Sequence, residues 1–354
     1  MNLRTPKVGV KEGLKRVDWL GSLSLLGGVL LTLLGLEFGG VRYPWASAGP
    51  ICLIIFGVML IAIFIIVEWR FAAHPIMPLR LFSHRSNIAS LAVCFFHGTC
   101  FIAAAYYLPL YFQGARGSSA LLSGVYILPF VVTMSVVSAL TGIYIKVTGQ
   151  YRPAIWFGVT IALLGFGLYI DFGRDSSWAK IIIFQMIAGV GIGPNFQAPL
   201  IAIQSLIDPR DIATATSTFA LARTLGLSVS VVVGGVVFQN GMVRQAAELT
   251  RQLGPEIAGR LSGAEAVAST AYVDRLPEAA KLVAQTAIAS ALRDMWYLYV
   301  ALAACAVVSS LFITKNVLSK VHEQRTQVPK ARGEKEAVDA SQAAGGAAGE
   351  KQEV

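Results

Sequence analysis

Charged residues along this chain fall in clusters, and between the clusters run uncharged stretches of 18 or more residues: Trp19 to Leu36, Tyr43 to Val67, Ser86 to Ala115, Gly117 to Ile145, Pro153 to Ile170, Ile181 to Ile207 and Met295 to Thr314. An eighth stretch, Ile212 to Val243, is interrupted by Arg223 alone. At about 1.5 Å per residue, each is long enough to cross a hydrocarbon layer about 30 Å thick as a helix. The runs are apolar on every side, without the alternation of a barrel strand, so helices are what satisfies their backbone groups in lipid. The pattern predicts an all-α, polytopic membrane protein with eight transmembrane helices. Runs 86–115 and 117–145 exceed one span, which predicts tilt or interfacial ends. The stretch Gln113-Gly114-Ala115-Arg116-Gly117-Ser118-Ser119 between them reads as a turn.

Composition agrees: 55% of residues are hydrophobic and 14% charged, with mean hydropathy +0.63, against about 25% charged in soluble domains. The net charge of +9 does not point to nucleic acid, because its distribution follows the membrane. Alternate loops and the two ends hold 18 Lys and Arg, whereas the short loops of the other side hold 4. Basic loops stay inside, so both termini are expected in the cytoplasm. Residues 1–18 are polar and basic, and no small-residue cleavage site follows the first run, so that run is expected to be the insertion signal. Cys52, Cys94, Cys100 and Cys305 lie in apolar runs without metal-ligand spacing. Neither a metal nor a cofactor is expected.

The domain reading is a cytoplasmic segment 1–18, two helices in 19–67, a six-helix block 86–316 and a tail 317–354 poor in core-forming residues, expected to be disordered. Within the block, segment 244–294 has 6 basic and 6 acidic residues and apolar positions at helical spacing. It reads as an outside loop with one or two amphipathic helices near the membrane surface, or as a small solvated domain.

The stretch GVGIGPNFQAPLIAIQ, residues 189–204, puts glycines, prolines and amides inside an apolar run. A phosphate loop would need a preceding strand and a following Lys-Ser or Lys-Thr, and neither is present. In a membrane helix, small residues permit close approach of a neighbour, and Pro194 and Pro199 loosen the ladder. Gln185, Gly189 and Gly193 share one face, with Gln197 and Gln204 continuing its drift. These amides and Asn195 either bond between helices or line a cavity for a polar substrate. His97, in run 86–115, is a packing histidine, a proton relay or a cavity residue. Tyr106 and Tyr107 suit stacking on a planar ligand or an interfacial aromatic belt. Arg223 should face the bundle or a water-filled vestibule, or snorkel inward, as a structural or coupling charge. His97, Tyr106, Gln113, Gln185, Asn195, Gln197 and Gln204 are the expected substrate-binding residues.

LKRVDWLGSLSLLGGVLLTLLGLEFGG at 14–40, EWRFAAHPIMPLRLF at 68–82, GVGIGPNFQAPLIAIQ, and TSTFALARTLGLSVSVVVGGVVFQN at 216–240 together resemble the fourteen-span drug:proton antiporter branch of the major facilitator superfamily, most closely its fungal efflux pumps. The resemblance covers about residues 10–320. It implies two linker helices followed by the C-terminal six-helix half, spans seven to fourteen of that family. Where the family's fourth-helix motif has an Arg four residues before Gly-x-Gly, this repeat has Gln185 before Gly189 and Gly191. The family's loop motif survives as Gly142, Gly149 and a displaced Arg152, with Lys146 at the place of its Asp.

What the resemblance implies is secondary active transport: proton-coupled efflux of drugs, toxins or secondary metabolites by alternating access, in a multi-pass protein of the plasma membrane. The partners implied are the lipid bilayer, protons, an amphipathic small molecule and an N-terminal six-helix half, since the first six spans have no counterpart here. The chain is therefore expected to be a truncated portion of such a pump. The alternatives are an inactive or regulatory fragment, or a membrane-embedded enzyme. An enzyme is disfavoured because the spans hold one His and no interior carboxylate.

Overall fold

A computed structural model describes residues 18–316 apart from 40–41, 71–76, 78, 209–210 and 263–269. The expected cytoplasmic segment 1–18, but for Asp18, and the expected disordered tail 317–354 lie outside the described residues. Among the described residues there is no strand, and eight helices are long and apolar enough to cross a membrane, as the eight runs predict.

The first two spans, α1 (Trp19–Phe38) and α2 (Ala48–Arg70), form a hairpin that leans on a later helix. Asp18 caps α1 by accepting the Gly21 amide at 2.8 Å. Gly28 and Gly57 then let the two backbones meet: a Cβ on Gly57 would come within 2.9 Å of the Gly28 carbonyl oxygen. Leu20, Leu23, Leu26 and Leu30 of α1 and Ile55, Phe56 and Ile65 of α2 are exposed. An exposed apolar belt of this size is stable only against lipid or another protein.

The remaining spans form a bundle. They are α3 (Arg85–Leu110), continued by a π-helical turn Tyr111–Ala115; α4 (Ala120–Tyr126) with α5 (Leu128–Thr148); α6 (Arg152–Tyr169); α7 (Trp178–Ile192) with a 3-10 turn Gly193–Phe196 and α8 (Ala198–Gln204); α9 (Ile212–Leu253); and α12 (Glu278–Leu311). Short helices α10 (Pro255–Leu261) and α11 (Thr270–Val273) lie between the last two. The hairpin α1–α2 leans on α9, and α3 packs on α9, α12 and α8. From there the chain of contacts runs α12 to α6, α6 to α7 and α7 to α5. The most apolar window of the α3 span is 61% buried, and that of the α4–α5 span 11%, so α3 is the core and α5 the periphery.

Two boundaries differ from the pattern of apolar runs. The run from Gly117 is broken at Ile127, because Pro129 has no amide hydrogen and Phe130 turns back to the Ile127 carbonyl at 3.1 Å. At the other end, α9 and α12 run unbroken into segment 244–294, where amphipathic helices along the surface are expected. No proline interrupts α9 over its 42 residues. The two extensions are joined by Arg244 to Asp294 at 3.5 Å and by Gln245, which donates to the Ala287 carbonyl at 3.1 Å. A Gly254 with φ of 82° ends α9, a backbone angle that favours glycine.

Candidate functional site

The break between α7 and α8 brings together part of the expected site residues. Gly189 and Gly193 turn toward α5, where an added Cβ would meet the Phe130 and Met134 carbonyl oxygens at 2.7 and 2.8 Å. Gly191 turns the other way, onto the α6 backbone at Ala162. The glycines are thus contact points on two sides, and Pro194 interrupts the ladder between them.

A broken helix releases carbonyl oxygens, and in a membrane each needs a donor. His97 on α3 supplies one through Nε2, 2.9 Å from the Ile192 oxygen. Because a carbonyl can only accept, Nε2 carries a hydrogen, and in the neutral ring Nδ1 then holds the lone pair. That Nδ1 is buried with no partner. Arg223 on α9 supplies the second, donating from Nη2 to the Phe196 oxygen at 2.6 Å. The guanidinium lies 5.2 Å from the Phe196 ring centroid and 4.9 Å from that of Phe219. Phe196 also meets His97 and Phe101 edge-on, at 5.0 and 5.1 Å between centroids.

The same rule accounts for Gln185. Its Nε2 donates at 3.0 Å to the Tyr126 carbonyl, which Phe130 leaves free at the α4–α5 break. Gln113 donates to the Ser123 hydroxyl at 3.0 Å and Gln204 to the Thr216 hydroxyl at 3.1 Å. Asn195 is 1% exposed, abuts Gly158 of α6, and has both amide atoms unpartnered. Gln197 is exposed and Tyr106 is 43% exposed, and neither side chain forms a hydrogen bond among the described residues. The structure therefore gathers His97, Asn195, Gln197 and Arg223 around the break, and leaves Tyr106, Gln113, Gln185 and Gln204 elsewhere on the bundle.

Replacing Gln185 by Leu orphans the Tyr126 oxygen in a dry interface, at an expected loss of about 1–3 kcal/mol. Thermal unfolding of the detergent-purified chain checks this.

Sequence reasoning does not single out the knot that ties α3, α9 and α12 together. Tyr107 is fully buried and donates to the Val231 carbonyl at 2.7 Å. Tyr299 donates to the Ser230 carbonyl at 2.8 Å, and the Ser230 hydroxyl donates to the Thr99 carbonyl at 2.7 Å. Gly234 leaves room for both rings. The available signal is the step of about 100° between helix neighbours, which sends Tyr106 and Tyr107 to different faces.

Arg223 carries a charge that no described acid neutralises. Arginine within a span costs up to about 2.5–3.5 kcal/mol on insertion, which the two cation–π contacts, at about 2 each when desolvated, and the bond to the Phe196 oxygen offset. No ion pair among the described residues includes Arg223, and its Nε is buried without an acceptor. The charge has no counter-ion among the described residues.

Residues 19–231 match the sequence profile of the Major Facilitator Superfamily. The chain is 46% identical over 323 residues to an efflux pump, dotC, of Dothistroma septosporum, an alignment covering 91% of this chain and 55% of that protein. It is 41% identical over 324 residues to the MFS-type transporter ppz2 of Metarhizium majus, covering 92% and 56%. It is 34% identical over 240 residues to an aspyridones efflux protein of Neocamarosporium betae, covering 68% and 43%. The chain spans about half the length of the curated relatives it matches. Eight membrane-length helices, a bundle held at its helix breaks by polar side chains, and this similarity along most of the chain lead to one conclusion: the chain belongs to the Major Facilitator Superfamily.

Proposed function

We propose that the chain serves in the outward transport of amphipathic small molecules, coupled to inward proton movement, as two linker helices and the C-terminal six-helix half of a fourteen-span antiporter. The observation that carries this reading is the similarity to efflux pumps along nine-tenths of this chain but about half of theirs. Its α5 fits the same reading. That helix packs chiefly on α7 and the turn after it, and turns Val132, Val136, Leu140 and Ile143 outward. A second six-helix half, on the same polypeptide or another, would cover that face and complete a midplane site. The substrate path would run past Tyr106, Gln197 and Arg223, the polar groups with donors to spare. The excess of Lys and Arg in alternate loops supports cytoplasmic termini, and the relatives' role in efflux supports a plasma-membrane location.

Reconstituted vesicles test this. The 354-residue chain alone is expected to show no protonophore-sensitive dye efflux, and co-reconstitution with the part of the Dothistroma pump that the alignment leaves uncovered is expected to restore it. Protonophore-sensitive efflux by the chain alone would overturn the half-transporter reading.

A further inference from the structure

We propose that Arg223 is an anion-recognition site, and that the molecules this half accepts are aromatic acids carrying a carboxylate or an equivalent delocalised oxyanion. The inference deepens the transport reading and rests on it. Three observations carry it.

The first is charge. Arg223 lies eleven residues into α9 from Ile212, about 16 Å along the helix, and no carboxylate among the described residues pairs with it. The second is donor count. A guanidinium has five N–H donors; the Phe196 oxygen accepts one, the Cys94 sulfur lies within hydrogen-bonding reach of the group, and the buried Nε–H has no partner. Two adjacent donors of the planar fork match the two oxygens of a carboxylate. The third is the lining. Phe196 and Phe219 hold the guanidinium by their ring faces, and Phe101 and His97 pack on Phe196. An aromatic body joined to an acid group fits such a wall.

The face of α3 toward this charge carries further buried polar groups. Asn87, Ser90, Cys94 and His97 stand at helical spacings of three, four and three, so they share one side. Cys94 reaches the Phe219 carbonyl from that side, and His97 the Ile192 carbonyl. Asn87 is fully buried with both amide atoms unpartnered, and the Ser90 hydroxyl is likewise unpartnered. Polar groups left open along this strip are where water, or the polar end of a substrate, completes the hydrogen bonding.

The test compares a charged ligand with its uncharged isostere. Radiolabelled 2-naphthoate and 2-naphthamide are titrated onto the purified 354-residue chain in detergent micelles, with empty micelles as background. The wild-type chain is expected to bind the carboxylate about tenfold more tightly than the amide, the scale of one charge-assisted pair. Arg223→Gln, which can still donate to the Phe196 oxygen, should bring that ratio to about one without weakening amide binding. Arg223→Lys should preserve part of it. A wild-type ratio near one, or an unchanged ratio in a well-folded Arg223→Gln chain, overturns the inference. Should Arg223→Gln elute as an aggregate, the Arg223→Lys ratio decides: equal to that of a neutral site, it overturns the proposal. The result is independent of whether vesicles transport, so a failure of the transport reading is seen separately.

Discussion

Valine at Gly165 is expected to abolish accumulation of monodisperse protein, whereas valine at Gly167, two residues along the same helix, is expected to leave it unchanged. A Cβ on Gly165 would stand 2.5 Å from the Cα of Ala188, and one on Gly191 would strike the α6 backbone at Ala162. The obstacle in both cases is main chain, which cannot rotate away. The α6–α7 interface must therefore separate by about the thickness of a methyl group along its length. Membrane helices gain little from burying apolar surface, since lipid is equally apolar; they associate through close packing and interhelical bonds. Loss of the small-residue contact removes that source of stability. At Gly167 an added side chain meets nothing within 4 Å, and valine is a slightly better helix residue than glycine there. Size-exclusion profiles of Gly165→Val, Gly191→Val and Gly167→Val, run together, check the prediction. Equal profiles for all three would show that the helices do not touch as described.

The second large effect is expected at Trp296. This residue is 1% exposed on α12 and packs on Tyr169 at 5.0 Å, Tyr299 at 6.0 Å and Phe166 at 6.1 Å between ring centroids. Tyr169 continues the cluster to Phe172 and Tyr111, so α3, α6 and α12 meet in one aromatic mass. Trp296→Ala leaves a cavity that rigid rings on three helices cannot collapse to fill. Buried Trp to Ala changes cost about 3–5 kcal/mol in soluble cores. In lipid the transfer part shrinks and the lost dispersion contacts remain, so about 3 kcal/mol is expected. Denaturant or thermal unfolding in detergent measures it. Trp296→Phe should recover more than half, whereas Trp45→Ala, at an exposed residue, should change little.

The spans were legible because lipid imposes a length and a polarity that no tertiary contact overrides. The seven uncharged runs, with the eighth that Arg223 alone interrupts, match the eight membrane-length helices in number and order. Their ends were less legible where water, and not lipid, surrounds the helix. Arg244 and Arg251 look like the start of a loop in a hydropathy reading, yet a helix in water tolerates them, and Arg244 with Asp294 helps to hold α9 to α12. Side-chain direction was legible in part. The shared face of Gln185, Gly189 and Gly193 appears in the structure as the side of α7 toward α4 and α5. What each amide bonds could not be read, because its partner is a backbone carbonyl released by a break elsewhere. Gln185 answers to Pro129, 56 positions earlier, and His97 answers to Pro194. Periodicity describes the helix that carries a side chain and is silent on the fault in a neighbour that the side chain repairs.

The length of α9 has a mechanical consequence. Its 42 residues make a rod about 63 Å long, with Arg223 near one end and Leu253 at the other. From Arg223 to Leu253 is about 45 Å, so a tilt of about 10° about the arginine sweeps the far tip through about 8 Å. The rod is a lever whose short arm holds the helix break and whose long arm, tied to α12 at Arg244 and Gln245, magnifies whatever happens there.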